Sequence, residues 1–317
     1  MKDNKQCPIT GVTASRNRSW SYTERGKEYL LYDSSGTDIA FWEPRTLDVG
    51  YYESDSLNNQ AMSHANDLTP SPWNDYVKHS SIAALFKGGS KVLDIGCGNG
   101  SFLNTLTNRD LELIGIDLDR VAIEAAKNNG VTAKFEVASL TEFNEDGKYN
   151  GYFDIITIFE VLEHQTDPVQ FLEEIKILLK PQGLIIGSTP NKNRFSVRIG
   201  LREPFDYPPN HFFWFGLDGL EDTFKKAGYT KKMITSALNY PRLNAVRHTI
   251  LSKFFMARNK SKISSTDKSE KSKPRRSKEI VLLSLSLAMI PIYPVFYLAN
   301  RILATTTHFG FIFRSNT

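Results

Sequence analysis

Cysteine is nearly absent, with two residues, Cys7 and Cys97, in a chain of 317. Two thiols exclude a disulfide-stapled scaffold and cannot furnish a four-thiolate zinc site. The first ten residues, MKDNKQCPIT, lack an apolar run behind a basic start, so no secretory signal is expected and a cytoplasmic location is. No repeat of fixed period is visible. Excess charge is also scarce: the net charge is +4, and it comes from one tract. Residues 253–278 hold ten lysines or arginines against two acids, which leaves the rest of the chain acidic overall. That tract has neither interleaved aromatics nor a folded scaffold, so nucleic acid is not an expected partner. What is present is ordinary for a globular chain, 40% hydrophobic and 23% charged. The length allows one large domain or two smaller ones.

Residues 1–69 read as irregular, rich in Ser, Asn, Asp and Tyr. A helix is predicted over 72–87 from the spacing of Val77, Ile82, Leu85 and Phe86. An alternating pattern then begins. Strands are predicted at 91–95, 111–117, 133–137, 153–159 and 183–189, with helical stretches clearest at 120–128 and 168–180. A helix over 217–227 and a strand over 229–236 follow, and a last strand is expected near 308–314. Strands alternating with helices imply a parallel, doubly wound α/β sheet.

The sharpest motif is VLDIGCGNG, residues 92–100. A buried strand runs into a turn containing Gly96, Gly98 and Gly100, where missing Cβ atoms let a ligand approach the backbone. Asp117, at the end of the next strand, can accept hydrogen bonds from a ribose diol. The glycine spacing departs from G-x-G-x-x-G, with Ser101 at the third small position. Asp94 lies two residues before the first glycine. A carboxylate there repels a pyrophosphate and attracts a cation, which favours a positively charged nucleoside over a dinucleotide.

The chain at this point resembles the class I S-adenosylmethionine-dependent methyltransferases. VLDIGCGNG is similar to their first motif, LIGIDLD to their second-strand acid, FDIITIFEVLEHQTDP to a fourth-strand segment and LKPQGLIIGSTPN to the fifth strand and its turn. The resemblance implies a seven-stranded Rossmann-like sheet with its last strand antiparallel. It places S-adenosylmethionine on Asp94, Gly96, Gly98, Gly100 and Asp117, with Ser139 near the adenine. Glu160, at the end of the fourth predicted strand, is expected to touch the cofactor or acceptor. No metal is expected. His164 and His211 are candidate bases for deprotonating a hydroxyl acceptor, or else structural hydrogen-bonding residues. A nicotinamide-dependent oxidoreductase and a non-catalytic binding protein on the same fold stay open as alternatives.

The N-terminal stretch resembles the small zinc ribbon that opens some methyltransferases of sugars and lipid-linked compounds. Cys7-Pro8-Ile9-Thr10-Gly11 looks like a knuckle that has lost one ligand, and Tyr32-Asp33-Ser34-Ser35-Gly36 like one that has lost both. Phe41-Trp42-Glu43-Pro44-Arg45 fits the same layout. A metal-free, degenerate ribbon over 1–69 is therefore expected, followed by the methyltransferase domain at 70–238.

A basic linker and apolar insert occupy 239–305, and 306–317 carries the returning strand. Residues 280–299 are twenty uncharged residues interrupted by Pro291 and Pro294. A single membrane crossing would separate the last strand from its sheet. A segment that dips into the membrane or lies in its interface is expected instead, with the basic tract on the anionic cytoplasmic face. A buried core helix and a true span are the alternatives. The expected reaction is O-methylation of a small, amphipathic or lipid-linked acceptor, such as a glycan or quinone-type precursor.

Overall fold

A computed structural model of the chain describes residues 4–24, 26–34, 36–46, 82–107, 109–198, 206–237 and 308–316. The chain divides into two compact units. One comprises 1–192, 208–237 and 308–317, and the other 193–207 and 238–307. The described part of the second unit includes a short helix, Phe195–Arg198, and a buried ion pair between Arg194 and Asp206. The basic tract and the apolar segment 280–299 lie outside the described residues. Among the described residues, no helix is long and apolar enough to cross a membrane.

The first unit begins with strands β1 (Asn4–Gln6), β2 (Thr13–Glu24), β3 (Lys27–Ser34) and β4 (Ile39–Glu43). Within the region read as irregular, residues 4–43 thus carry antiparallel strands, and 47–69 lie outside the described residues. Of the helix expected over 72–87, residues 72–81 lie outside the described residues and Ala83–Leu85 form one 3-10 turn.

The α/β pattern then runs through β5 (Ser90–Ile95), α1 (Ser101–Asn104), β6 (Leu111–Asp117), α2 (Arg120–Asn128), β7 (Lys134–Val137), α3 (Leu140–Phe143), β8 (Phe153–Phe159), α4 (Pro168–Leu178) and β9 (Leu179–Pro190). After the second unit's short helix, labelled α5, come β10 (Phe213–Phe215), α6 (Leu217–Lys226), β11 (Tyr229–Ala237) and β12 (His308–Ser315).

Seven strands form the main sheet in the order β11-β12-β9-β8-β5-β6-β7. The pairs β8/β9, β5/β8, β5/β6 and β6/β7 are parallel, while β12 runs antiparallel to both β9 and β11. This is the expected methyltransferase sheet. Its central strands are apolar runs because helices cover both faces. In β8, Ile155, Ile156 and Ile158 are all buried.

Helix starts follow local chemistry. The Asp119 carboxylate caps α2 by accepting from the Val121 and Ala122 amides, and Asp167 caps α4 through Val169 and Gln170. Pro168 sits in the first turn of α4, where its missing N–H costs nothing. The returning strand is anchored by aromatic packing. Phe224 of α6 stacks on Phe313 of β12, with ring centroids 3.9 Å apart.

The chain reverses direction of winding around β5, which has β6 on one side and β8 on the other. In open α/β sheets, ligands bind beyond the carboxyl ends of the strands at such a switch point. The glycine turn follows β5, and Glu160-Val161-Leu162-Glu163-His164 follows β8.

Candidate functional site

The turn after β5 is tied to the end of β6 by main-chain bonds. Gly96 and Cys97 amides donate to the Ile116 carbonyl at 2.8 and 3.1 Å. Gly96 has φ +73°, and a Cβ there would stand 2.6 Å from Val161 Cγ2. Gly100 has φ +77°, and its Cβ would meet the Phe135 ring at 2.9 Å. Left-handed backbone in tight quarters explains glycine at both positions.

Asp117 fixes the rim of this turn. Its Oδ2 accepts the Gly98 amide at 2.8 Å and its Oδ1 the Asp119 amide at 2.9 Å. Each oxygen keeps a lone pair for a ribose hydroxyl. Burial raises the Asp117 pKa despite these amide bonds. Two apolar side chains beside it stay in solvent, Leu118 at 44% and Val137 at 36% exposure. They offer an apolar rim for an aromatic base.

Asp94 is 2% exposed and lies behind the turn. Burial pushes its pKa up to about 7; the Thr157 hydroxyl, donating to Oδ1 at 2.6 Å, opposes this, and Asp117 adds to it. A carboxyl poised this way gains an ionised state when a cation arrives. Cys97 is buried and its thiol pKa is driven well above the usual range, chiefly by burial, so the thiolate is disfavoured.

The Ser139 side chain takes part in a helix cap. It accepts the Glu142 amide at 3.2 Å while the Glu142 carboxylate accepts the Ser139 amide at 2.8 Å, a capping box that starts α3.

Past β8 the chain gathers five ionisable side chains. His164 and His211, distant in sequence, have perpendicular rings with centroids 4.6 Å apart. Glu163 Oε1 lies 3.9 Å from His211 Nε2, an ion-pair distance, and its other oxygen accepts the Thr189 hydroxyl at 3.1 Å. The Phe212 amide donates to the Glu163 carbonyl at 2.8 Å, which locks the two loops together.

Burial pushes the His164 pKa down to about 3, helped by His211; Glu160 and the Glu160 and Asn210 carbonyls act the other way. Glu160 has φ +57°. Its Oε1 accepts the Ser188 hydroxyl at 2.7 Å, and its Oε2 lies 3.3 Å from His308 Nε2 at the start of β12. Burial opposes charge on Glu160, yet His308 and Ser188 together hold its pKa below the usual value.

Thus the structure brings Asp94, Gly96, Gly98, Gly100 and Asp117 into one cradle and His164, His211 and Glu160 into one cluster. Sequence reading did not single out Thr157, Glu163, Thr189 or His308 as site residues. The E-x-x-E-H spacing after β8 marks Glu163 in retrospect. His308 is found only through the antiparallel register that sets it opposite Pro190.

The cradle's open glycine backbone and buried carboxyl suit a cationic nucleoside such as S-adenosylmethionine. Residues 73–232 match the family described as "Methyltransferase domain". Ubiquinone biosynthesis O-methyltransferase of Actinobacillus pleuropneumoniae serotype 5b (strain L20) is 33% identical over 124 residues, 37% of this chain and 52% of that protein. The enzyme of that name from Marinobacter nauticus is 30% identical over 132 residues, 40% of this chain and 53% of that one. The chain therefore spans about half the length of these relatives.

Among solved structures, an Archaeoglobus fulgidus SAM-dependent methyltransferase superposes with a TM-score of 0.50 at 18% identity, over 77% of this chain and 93% of that one. Haemonchus contortus phosphoethanolamine N-methyltransferase 2, in complex with S-adenosyl-L-methionine, gives 0.52 at 14% identity over 93% and 70%. With half its length matched and this cradle at the switch point of this sheet, the chain belongs to the S-adenosylmethionine-dependent methyltransferase family.

Proposed function

We propose that this chain methylates a hydroxyl group of an amphipathic acceptor of the quinone-precursor type. The reading rests on one observation: His211 lies at ion-pair distance from the buried carboxylate of Glu163, which belongs to the loop after β8 whose Val161 stands against Gly96. The names of the relatives support the choice of a quinone precursor over a lipid-linked glycan.

When bound, S-adenosylmethionine supplies an electrophilic methyl group on a sulfonium. Asp94 balances the positive charge, Asp117 holds the ribose, and Leu118 and Val137 flank the base. Holding the acceptor oxygen in line and removing its proton is the remaining task. His211 takes that proton, and Glu163 stabilises the resulting imidazolium. His164, with a pKa near 3, stays neutral and shapes the wall. The basic tract 253–278 and the apolar 280–299 hold the enzyme on the cytoplasmic face of an anionic membrane, where such acceptors partition.

Incubating membranes and cytosol with the cofactor carrying a labelled methyl group tests this directly. Label is expected in a lipid-extractable phenol ether from the membrane fraction. Label in water-soluble amines, protein or nucleic acid would remove the proposal.

A specific observation favours a second reading of the same cluster. Glu163, His164 and His211 each offer a ligand atom, and these atoms all lie within 4.8 Å of one another. One carboxylate and two imidazoles suit a divalent transition metal ion. Such an ion lowers the pKa of a bound hydroxyl and would share the deprotonation with the protein. Chelation followed by metal restoration separates the readings. Base catalysis alone predicts unchanged turnover after chelation, whereas the cation reading predicts loss and recovery.

A further inference from the structure

The Phe41–Arg45 motif has no part in the cofactor cradle, yet it reaches the catalytic loops. The N-terminal sheet has five strands, in the order β1-β2-β3-β4-β10. Its fifth strand is not N-terminal at all: β10 begins two residues after His211. Phe213, Trp214 and Phe215 pair antiparallel with Phe41, Ala40 and Ile39. One step before that ladder, the Trp42 amide donates to the Phe212 carbonyl at 2.9 Å, while the Phe212 amide donates to the Glu163 carbonyl. A continuous main-chain path thus runs from β4 to the loop carrying Glu163 and His164.

Arg45 makes the second connection. Its guanidinium donates to the Thr166 carbonyl at 3.1 Å, two residues past His164. It lies over the Phe213 ring at 5.2 Å and the Phe41 ring at 5.7 Å. Glu43 fixes it from the side, at 3.2 Å from Nε. The end of β9 is held to the same sheet: the Lys192 amide donates to the Phe215 carbonyl at 2.8 Å, and Lys192 Nζ pairs with Asp33 at 2.9 Å.

We propose that Arg45 is a positioning residue for methyl transfer, which makes the N-terminal sheet a working part of the active site. It pins the loop of Glu163 and His164 to the strand that follows His211, and so sets the spacing of the His211–Glu163 pair. That role rests on the acceptor chemistry proposed above. A planar guanidinium suits this place because it can donate in its plane and stack across its face. Lysine has no such plane and cannot donate and stack at once in that geometry.

The test compares Arg45→Ala and Arg45→Lys with Lys5→Ala, a surface change on the same sheet. Histidine-selective ¹⁵N NMR needs no acceptor and reads the rings directly. Arg45→Ala is expected to shift the His164 and His211 ring signals and to leave His308 in place. Cofactor Kd should stay within about twofold. With a 4-alkylcatechol as probe acceptor, kcat should fall at least about tenfold, with KM changing less. Arg45→Lys should restore little, added guanidinium should restore part of the Arg45→Ala loss, and Lys5→Ala should match the wild type.

Unchanged histidine signals in Arg45→Ala would overturn the proposal. So would a parallel loss of Tm and cofactor affinity, which marks a merely structural role. If the wild type itself transfers no methyl to the catechol, the acceptor reading fails, while the NMR comparison still decides the positioning role.

Discussion

Cofactor affinity is expected to fall by up to about tenfold for each pH unit below about 7, and Asp94→Asn is expected to lose that slope. The sign follows from burial. Without cofactor, desolvation raises the Asp94 pKa to about 7, so near neutrality the carboxyl is part protonated. A sulfonium favours the ionised form and lowers the pKa on binding. Above about pH 7 the ionised carboxylate is already present and affinity is full. As the pH falls, binding must expel a proton, and affinity is lost until the pKa of the bound state is passed. Calorimetry in two buffers of different ionisation heat should show proton release near pH 6.5 and little at pH 8.

Asp94→Asn should weaken binding at pH 8 by roughly 10–100-fold, the range for a lost charge-assisted interaction. Thr157→Val removes a hydroxyl that stabilises the ionised form, so its break should move to higher pH. The same shift acts on folding. Between the ordinary carboxyl value of 3.8 and about 7, the folded apoprotein holds more protons at Asp94 than the unfolded chain does. This contribution to stability therefore declines as pH rises through that window. A pH-independent Kd, or an unaltered slope in Asp94→Asn, would show that the carboxyl does not face the cation.

Much of this site was legible because buried parallel strands write themselves plainly. Residues 111–117 and 153–159 are apolar runs bounded by turn residues, and the strands have those bounds. The glycine turn and the two aspartates sit at strand ends, where spacing along the chain translates directly into spacing in space. The N-terminal sheet was not legible as strands. β2 and β3 mix Ser, Asn, Tyr and charge on a half-exposed surface, and β4 pairs with a strand about 170 residues further on. No local period encodes such a partner.

The histidine cluster fails for the same reason. His164 and His211 carry no signal that their rings meet, and His308 joins Glu160 only because β12 returns beside β9. Ser139 shows the converse: the resemblance fixes its position, and the structure adds that its side chain caps α3.

Replacing His211 should separate the two histidines and cost the most activity. His211→Gln is expected to lower kcat by about 10²–10⁴-fold, the usual worth of a positioned base, with cofactor affinity unchanged. The difference between the rings comes from their surroundings. A nitrogen whose pKa has been driven to about 3 is too weak a base for a phenol or alcohol, so His164→Asn should retain far more activity through its amide's hydrogen bonds. Glu163→Gln keeps the shape and can still meet the Thr189 hydroxyl, but it withdraws the charge that supports a protonated His211. It should fall between the other two. The ordering His211→Gln, then Glu163→Gln, then His164→Asn is the discriminating result. A reversed order, with His164→Asn the most damaging, would move the proton transfer to His164 and require that catalysis raise its pKa by several units. That requires the bound acceptor to bring negative charge against the ring, which the acceptor-saturated pH profile of the wild type would expose as a new ionisation.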